Sequence, residues 1–295
     1  MQIDDLEVFH IFIVESRQYN EKSRIMSVLV CFHAHPDDEV MLTAGVMMKA
    51  KRDGHRVVLV TATDGACGEY PPGILAEGET LADRRTKELE AAAKIIGIDR
   101  LVGLGYRDSG MMGTPDNENP SCFWQADIQE AASRLEAILK EESADVLTIY
   151  DDHGGYGHPD HIQVHRVGVL AGELVGIKAI YEATINRDHF LEMMKAASEI
   201  AEFADVANEF LDRLEEFDMG QPESMLTTAV DVSEFAQAKR DAFFAHESQV
   251  APDSWVRKIP EDYFKVAFAK EYFTLRGAST GIRSDDLFDF PWNET

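Results

Sequence analysis

Short runs of β-branched residues alternate along the chain with segments of helical spacing, and this alternation restricts the fold more than any other feature. The runs are VLVCF (28–32), RVVLVTAT (56–63), RLVGLG (100–105), ADVLTIY (144–150) and IKAIYEAT (177–184). Helical stretches lie between them, near 41–53, 81–96, 125–142 and 159–174. Strands alternating with helices of this length build a Rossmann-like α/β fold: a mainly parallel sheet, right-handed crossovers and helices on both faces. Ligands of such sheets gather beyond the carboxyl ends of the strands. HAHPDDE follows the first run, TDGACGEY the second, GYRDSG the third and DDHGGYGHPDH the fourth, so all four polar loops leave the same edge. The active site is expected there.

Other segments are less regular. Residues 1–25 precede the first strand and read as a dispensable extension, ahead of a main domain over 26–280 and a tail over 281–295. The stretch GMMGTPDNENPSC (110–122) is rich in Gly, Pro and Asn and reads as a loop over the site. An acidic helical region over 186–218 is expected outside the sheet, its 192–218 part a solvated face. TTAVDV (227–232) reads as a further strand, followed by a helix over 233–246.

With 54 acidic against 28 basic residues the formal charge is −26. A surface that acidic repels phosphate backbones, which argues against nucleic acid as a partner. Three cysteines without a C-x-x-C make no disulfide framework and suit a reducing compartment. No stretch approaches the ~20 apolar residues of a membrane helix. The opening MQIDDLEVFH lacks the basic n-region of a signal peptide. A cytoplasmic protein without a membrane anchor is expected.

The ten residues CFHAHPDDEV (31–40) set three acids side by side directly after a buried strand. Neighbouring carboxylates repel, and a cation offsets that repulsion. HGGYGHPDH (153–161) supplies His153, His158 and His161 from a second loop, and nitrogen together with carboxylate oxygen suits zinc or a related divalent ion such as iron or cobalt. Pro36 biases His35 to an extended conformation and ends the strand. A turn after Pro36 brings Asp38 back beside His35, so the two can share one ion while Asp37 points elsewhere. Pro159 suits the first turn of a helix, which sets positions 158 and 161 one turn apart. One of these histidines can bind while the other faces a substrate.

These paired motifs, A-H-P-D-D-E and G-H-P-D-H, resemble those of the zinc-dependent de-N-acetylases of the LmbE-like, or N-acetylglucosaminyl-phosphatidylinositol deacetylase, family. The resemblance covers most of residues 27–277 and is nearest to the actinobacterial mycothiol deacetylase and conjugate amidase group. It extends to GYRDSGM (105–111), to TTAVDV with KRDAFFAHESQ (239–249), and to the helix carrying Arg85 and Glu88. The resemblance implies that His35, Asp38 and His161 ligate zinc with a position left open for water. It implies Asp37 as the general base, and His158 as the group that holds the oxyanion or protonates the leaving amine. Asp160 would orient a histidine, Tyr156 could polarise the amide carbonyl, and Arg85 and Asp108 fall where family members hold a sugar.

Plainer roles suit the remaining candidates. His33, two residues before His35, reads as a core histidine or one that supports the ligands. His165 follows His161 by four residues but lacks the glutamate of a two-histidine metalloprotease motif, so it reads as a packed or surface residue. His153 is a possible substrate contact or a plain loop residue, and His246 receives no role. Cys67 has no identifiable partner as a nucleophile, and Arg85 with Asp108 could equally form a structural salt bridge. The expected activity is metal-dependent removal of an N-acyl, chiefly acetyl, group from a small amino-sugar derivative of N-acetylglucosaminyl-inositol type. The competing readings are a mycothiol-type thioconjugate amidase and, from another class, a non-catalytic sugar- or metal-binding protein.

Overall fold

Alternate residues of the first strand, β1 (Val28–His33), enter two different cores. The computed structural model describes residues 26–200, 203–212, 219–251 and 254–289. The expected extension 1–25, residues 201–202 and 213–218 of the acidic region, and the end of the tail lie outside the described residues. The other strands are β2 (Arg56–Thr63), β3 (Arg100–Tyr106), β4 (Val146–Tyr150), β5 (Ala179–Thr184), β6 (Thr228–Asp231) and β7 (Lys270–Leu275). They form one seven-stranded sheet in the order β3-β2-β1-β4-β5-β7-β6. From β3 to β5 every pairing is parallel, and β7 runs antiparallel to both β5 and β6. The mainly parallel α/β sheet expected from the alternation is present.

Helices cover both faces. Leu29 and Cys31 point towards α2 (Ala44–Arg52), α3 (Leu81–Ile96) and α8 (Ala236–Ala245) through Met47, Leu89, Ala92 and Phe243. Val28, Val30 and Phe32 point the other way, towards α4 (Ile128–Glu142) and α5 (Pro159–Val175) through Leu135, Leu139, Val164 and Val167. Successive side chains of a strand alternate between faces, so one apolar run feeds both layers. Gly168 lets α5 approach β4 closely, since a Cβ there would lie 2.4 Å from Ile149 Cγ2.

The acidic region forms α6 (Arg187–Ser198), which has no fully buried side chain, and α7 (Ala204–Asp212). The 110–122 stretch is a series of turns with one short 3-10 segment, Pro115–Glu118. It is stapled by Asn117, whose Nδ2 donates to Ser109 O at 2.6 Å and whose Oδ1 accepts from Gly113 N at 2.7 Å. The start of the 281–295 span pairs with the sheet edge: Arg283 N donates to Thr227 O, and Ala229 N to Ser284 O. Strand β7 was not expected from the sequence pattern.

What positions the site is the order of the central strands. Chain connections run from β1 outward to β2 and β3 on one side, and to β4 and β5 on the other. The carboxyl ends of β1 and β4 therefore flank a crevice where the order reverses. HAHPDDE and HGGYGHPDH are the two loops that leave those ends.

Candidate active site

The first loop turns sharply. β1 ends at His33, and α1 (Asp38–Leu42) begins five residues later. Between them Asp37 adopts φ 118°, ψ −23°, on the left-handed side of the map. Such a conformation costs a non-glycine residue about 1–3 kcal/mol, so other contacts must hold it. The turn brings Asp38 back on His35: its Oδ2 accepts the His35 backbone N–H at 2.7 Å and lies 3.3 Å from His35 Nδ1. Asp37 points elsewhere, with Oδ2 3.0 Å from Arg85 Nη2.

The second loop bends through Gly154, Gly155 and Gly157, all at positive φ. At Gly154 a Cβ would sit 2.6 Å from His161 Cβ, so this close approach and the φ of 70° both require glycine. His158 then caps α5, with Pro159 in the first turn. Its Nδ1 accepts the Asp160 backbone N–H at 3.2 Å. His161, one turn on, is stacked on the Tyr150 ring at 4.4 Å. Its Nε2 lies 3.3 Å from Asp38 Oδ1. Asp38 thus presents one oxygen to His35 and the other to His161.

His35 is held from its far side as well. Its Nε2 is 3.1 Å from Asp160 Oδ2 and 3.5 Å from Asp108 Oδ1. Asp160 is fully buried and accepts both the backbone N–H, at 2.9 Å, and the hydroxyl of Ser109. Asp108 accepts from Cys67 N at 3.0 Å and from Gly110 N at 2.8 Å. Burial opposes a charge on His35, but Asp108, Asp160 and Asp38 together hold its imidazole well above the usual range. Burial likewise opposes ionisation of Asp38, and His161 and His35 hold it well below.

This arrangement fits a divalent cation. His161 Nε2 is buried and makes no hydrogen bond, although a carboxylate oxygen stands 3.3 Å away. A divalent cation between the two would engage both the ring nitrogen and the carboxylate oxygen. Ligating atoms of His35, His158 and His161 all lie within 4.8 Å of one another, as do those of His35, Asp108, His158 and Asp160. The contact of Asp160 with the second nitrogen of His35 is the support that metal-bound histidines ordinarily have.

The remaining candidates take definite places. Tyr156 stands partly exposed at the mouth, its ring 4.9 Å from His161. Burial and then the neighbouring Asp38, Asp37 and Asp108 push its phenol up, so it stays protonated. Burial, followed by His35 and His161, pushes His158 down to about 4. Asp37 is raised by burial, with Arg85 opposing. Arg85 and Asp108 do not pair with each other: Arg85 serves Asp37, Gly65 O at 2.8 Å and Pro36 O at 2.5 Å, and Asp108 faces His35.

His33 is a core residue, bonded to Tyr150 Oη at 2.8 Å and Thr43 Oγ1 at 2.7 Å. His165 packs against Tyr150 O at 3.0 Å, and His153 sits between Asp151 and Asp152. Burial pushes the Cys67 thiol up to about 12, which leaves no thiolate near neutral pH. Three contributors escaped the sequence reading: Ser109, which fastens Asp160; His246, which meets Glu39; and Ser248, which meets Glu88. For the last two the available signal was KRDAFFAHESQ itself, a polar segment whose His246 and Ser248 are completely covered.

The chain is similar to known proteins over most of its length. The family described as PIG-L, GlcNAc-PI de-N-acetylase, matches residues 30–171. The 1D-myo-inositol 2-acetamido-2-deoxy-alpha-D-glucopyranoside deacetylase of Acidothermus cellulolyticus is 39% identical over 88% of this chain and 94% of its own. The enzyme of the same name from Thermobifida fusca is 37% identical over 88% and 96%. Among solved structures, N,N'-diacetylchitobiose deacetylase from Pyrococcus horikoshii gives a TM-score of 0.52 at 23% identity, covering 93% of this chain and 94% of that one. A deacetylase from teicoplanin biosynthesis gives 0.55 at 17%, covering 86% and 100%. At those identities the structural likeness speaks for the fold.

Proposed function

The chain belongs to the PIG-L family of GlcNAc-PI de-N-acetylases, and from that premise we propose that it removes the acetyl group of an N-acetylglucosaminyl-inositol in a zinc-dependent reaction. The observation that carries the proposal is the division of Asp38, one oxygen to His35 Nδ1 and the other to His161 Nε2, each at 3.3 Å. His35, Asp38 and His161 would hold the ion. Bound there, zinc would polarise a carbonyl and lower the pKa of water to about 7.

The other residues divide the proton work. Asp37 is free of the ligand set and anchored by Arg85, so it serves as the base that takes a proton from the attacking water. His158 is neutral, and its Nδ1 accepts the Asp160 N–H, so its own proton sits on Nε2. That N–H steadies the developing oxyanion or passes its proton to the departing nitrogen. The protonated Tyr156 phenol donates to the carbonyl oxygen, and Asp160 keeps the His35 ring in place. Hydroxide adds to the acyl carbon, the C–N bond breaks, and the nitrogen leaves with a proton. Acetate and the free amino sugar are the products.

Arg85 and Asp108 are proposed to bound the sugar subsite. Both are nearly covered by the chain, so sugar hydroxyls reach them only on the floor of the crevice. The polar set of His35, Asp108, His158 and Asp160 favours a small polar substrate over an acyl chain.

The test offers zinc-loaded protein an N-acetylglucosaminyl-inositol and, separately, a cysteinyl-glucosaminyl-inositol thioconjugate, and follows the free amine. Acetate release from the first is the expected result. Cleavage of the conjugate alone would make the protein an amidase, and tight binding without turnover of either would make it a binding protein.

A further inference from the structure

Asp37 is the proposed base, yet its backbone is held in a left-handed conformation by contacts that lie behind the site. Its amide N–H donates to Glu39 Oε2 at 2.9 Å. The other oxygen of that carboxylate, Oε1, accepts from His246 Nε2 at 2.6 Å. Both side chains are wholly buried, and they come from positions 207 residues apart. Burial opposes both charges, but His246 holds Glu39 below its usual range and Glu39 holds His246 above its own.

The pairing is not a by-product of local packing. His246 Nδ1 is buried without a hydrogen-bond partner, so the ring is kept there for what its other nitrogen does. The segment that carries it is pinned separately: Ser248 N and Oγ donate to the two oxygens of Glu88, at 2.9 and 2.6 Å. Glu88 lies one helical turn beyond Arg85, which holds the Asp37 carboxylate from the opposite side. Asp37 is thus gripped at its backbone by Glu39 and at its carboxylate by Arg85.

We infer that Glu39 and His246 form a buried positioning pair that fixes the Asp37 backbone and so aims its carboxylate at the reacting water. The inference rests on Asp37 acting as the base in the proposed deacetylation. Both side chains are wholly buried and stand outside the proposed ligand set. Reach, rather than charge alone, is what Glu39 supplies, because one carboxylate must span from the Asp37 amide to the His246 ring.

Glu39→Gln, Glu39→Asp and His246→Ala separate these properties. Glutamine retains the length and both hydrogen bonds, with a neutral imidazole accepting from the new amide; aspartate retains the charge and is one carbon too short. Small misplacements of a catalytic group cost up to about 10²-fold. Glu39→Asp and His246→Ala are expected to lose about 10- to 100-fold in kcat, with KM and zinc content within about twofold, while Glu39→Gln loses no more than about threefold. Amide hydrogen exchange in a peptide spanning residues 33–41 is expected to speed up in the first two variants alone. The reverse order, with Glu39→Asp near wild type and Glu39→Gln impaired, would overturn the positioning role, as would unchanged exchange and kcat in His246→Ala. Failure of the deacetylase reading is distinct: wild type would release no acetate, whereas the exchange differences would still report on the pair.

Discussion

Asp38 is a short side chain that meets three groups at once, the His35 amide, the His35 ring and the His161 ring. The hydrogen bond from the His35 amide holds its carboxylate beside both rings. His35→Ala and His161→Ala are each expected to abolish stoichiometric zinc binding, read by metal analysis after dialysis, and His158→Ala to retain it. Retention of the ion in either of the first two would remove that residue from the ligand set. Loss in His158→Ala would add a fourth ligand. These residues were legible in the sequence because H-P and H-P-D-H fix turns within a few positions. Arg85 and Asp108 were legible as polar residues near the site, but their partners were not. Arg85 meets Asp37, 48 positions away, and no local pattern encodes a contact of that range.

At the scale of elements, the loop after β4 shows how backbone shape becomes chemistry. Gly154 and Gly155 have nearly the same positive φ, yet only Gly154 abuts His161. Gly155→Ala is expected to cost about 1–2 kcal/mol of stability from left-handed backbone alone. Gly154→Ala adds a collision with a proposed ligand and is expected to weaken zinc affinity as well, measured by competition with a chelator. Equal zinc affinity in the two variants would contradict that coupling. The central strands and α3, α4 and α5 were legible because their runs are long and buried on known faces. β7 was not: its KEYFTL segment lacks a period-2 apolar pattern because one of its covered positions holds Glu271, and it inserts between β5 and β6 out of chain order.

For the whole molecule, the carboxyl-terminal part clamps the segment that bears the acids. Glu271 on β7 accepts from Gly45 N and Val46 N at the start of α2, both at 2.8 Å, and from Lys239 Nζ at 2.6 Å. Breaking a buried ion pair from one side costs about 3–5 kcal/mol, because the other charge is stranded. Glu271→Ala is expected to lower unfolding stability in urea by at least that amount, and the double variant Lys239→Met, Glu271→Leu to recover only part of it, because the Gly45 and Val46 amides stay without an acceptor. A loss below ~1 kcal/mol in the single variant would show that the pair behaves like an exposed one. A chain starting at Met26 is expected to keep full activity, since β1 begins at Val28 and the family match at residue 30. An inactive truncated protein would contradict this.

We propose a metal-dependent deacetylation in which Asp37 handles the proton and binds no metal. It is tested most directly by measuring acetate release from N-acetylglucosaminyl-inositol, together with zinc content, in wild type and Asp37→Asn. Both proteins are expected to carry one zinc per chain, with turnover lower by about 10²- to 10⁴-fold in the variant. Wild-type turnover in Asp37→Asn, or loss of its zinc, would contradict it.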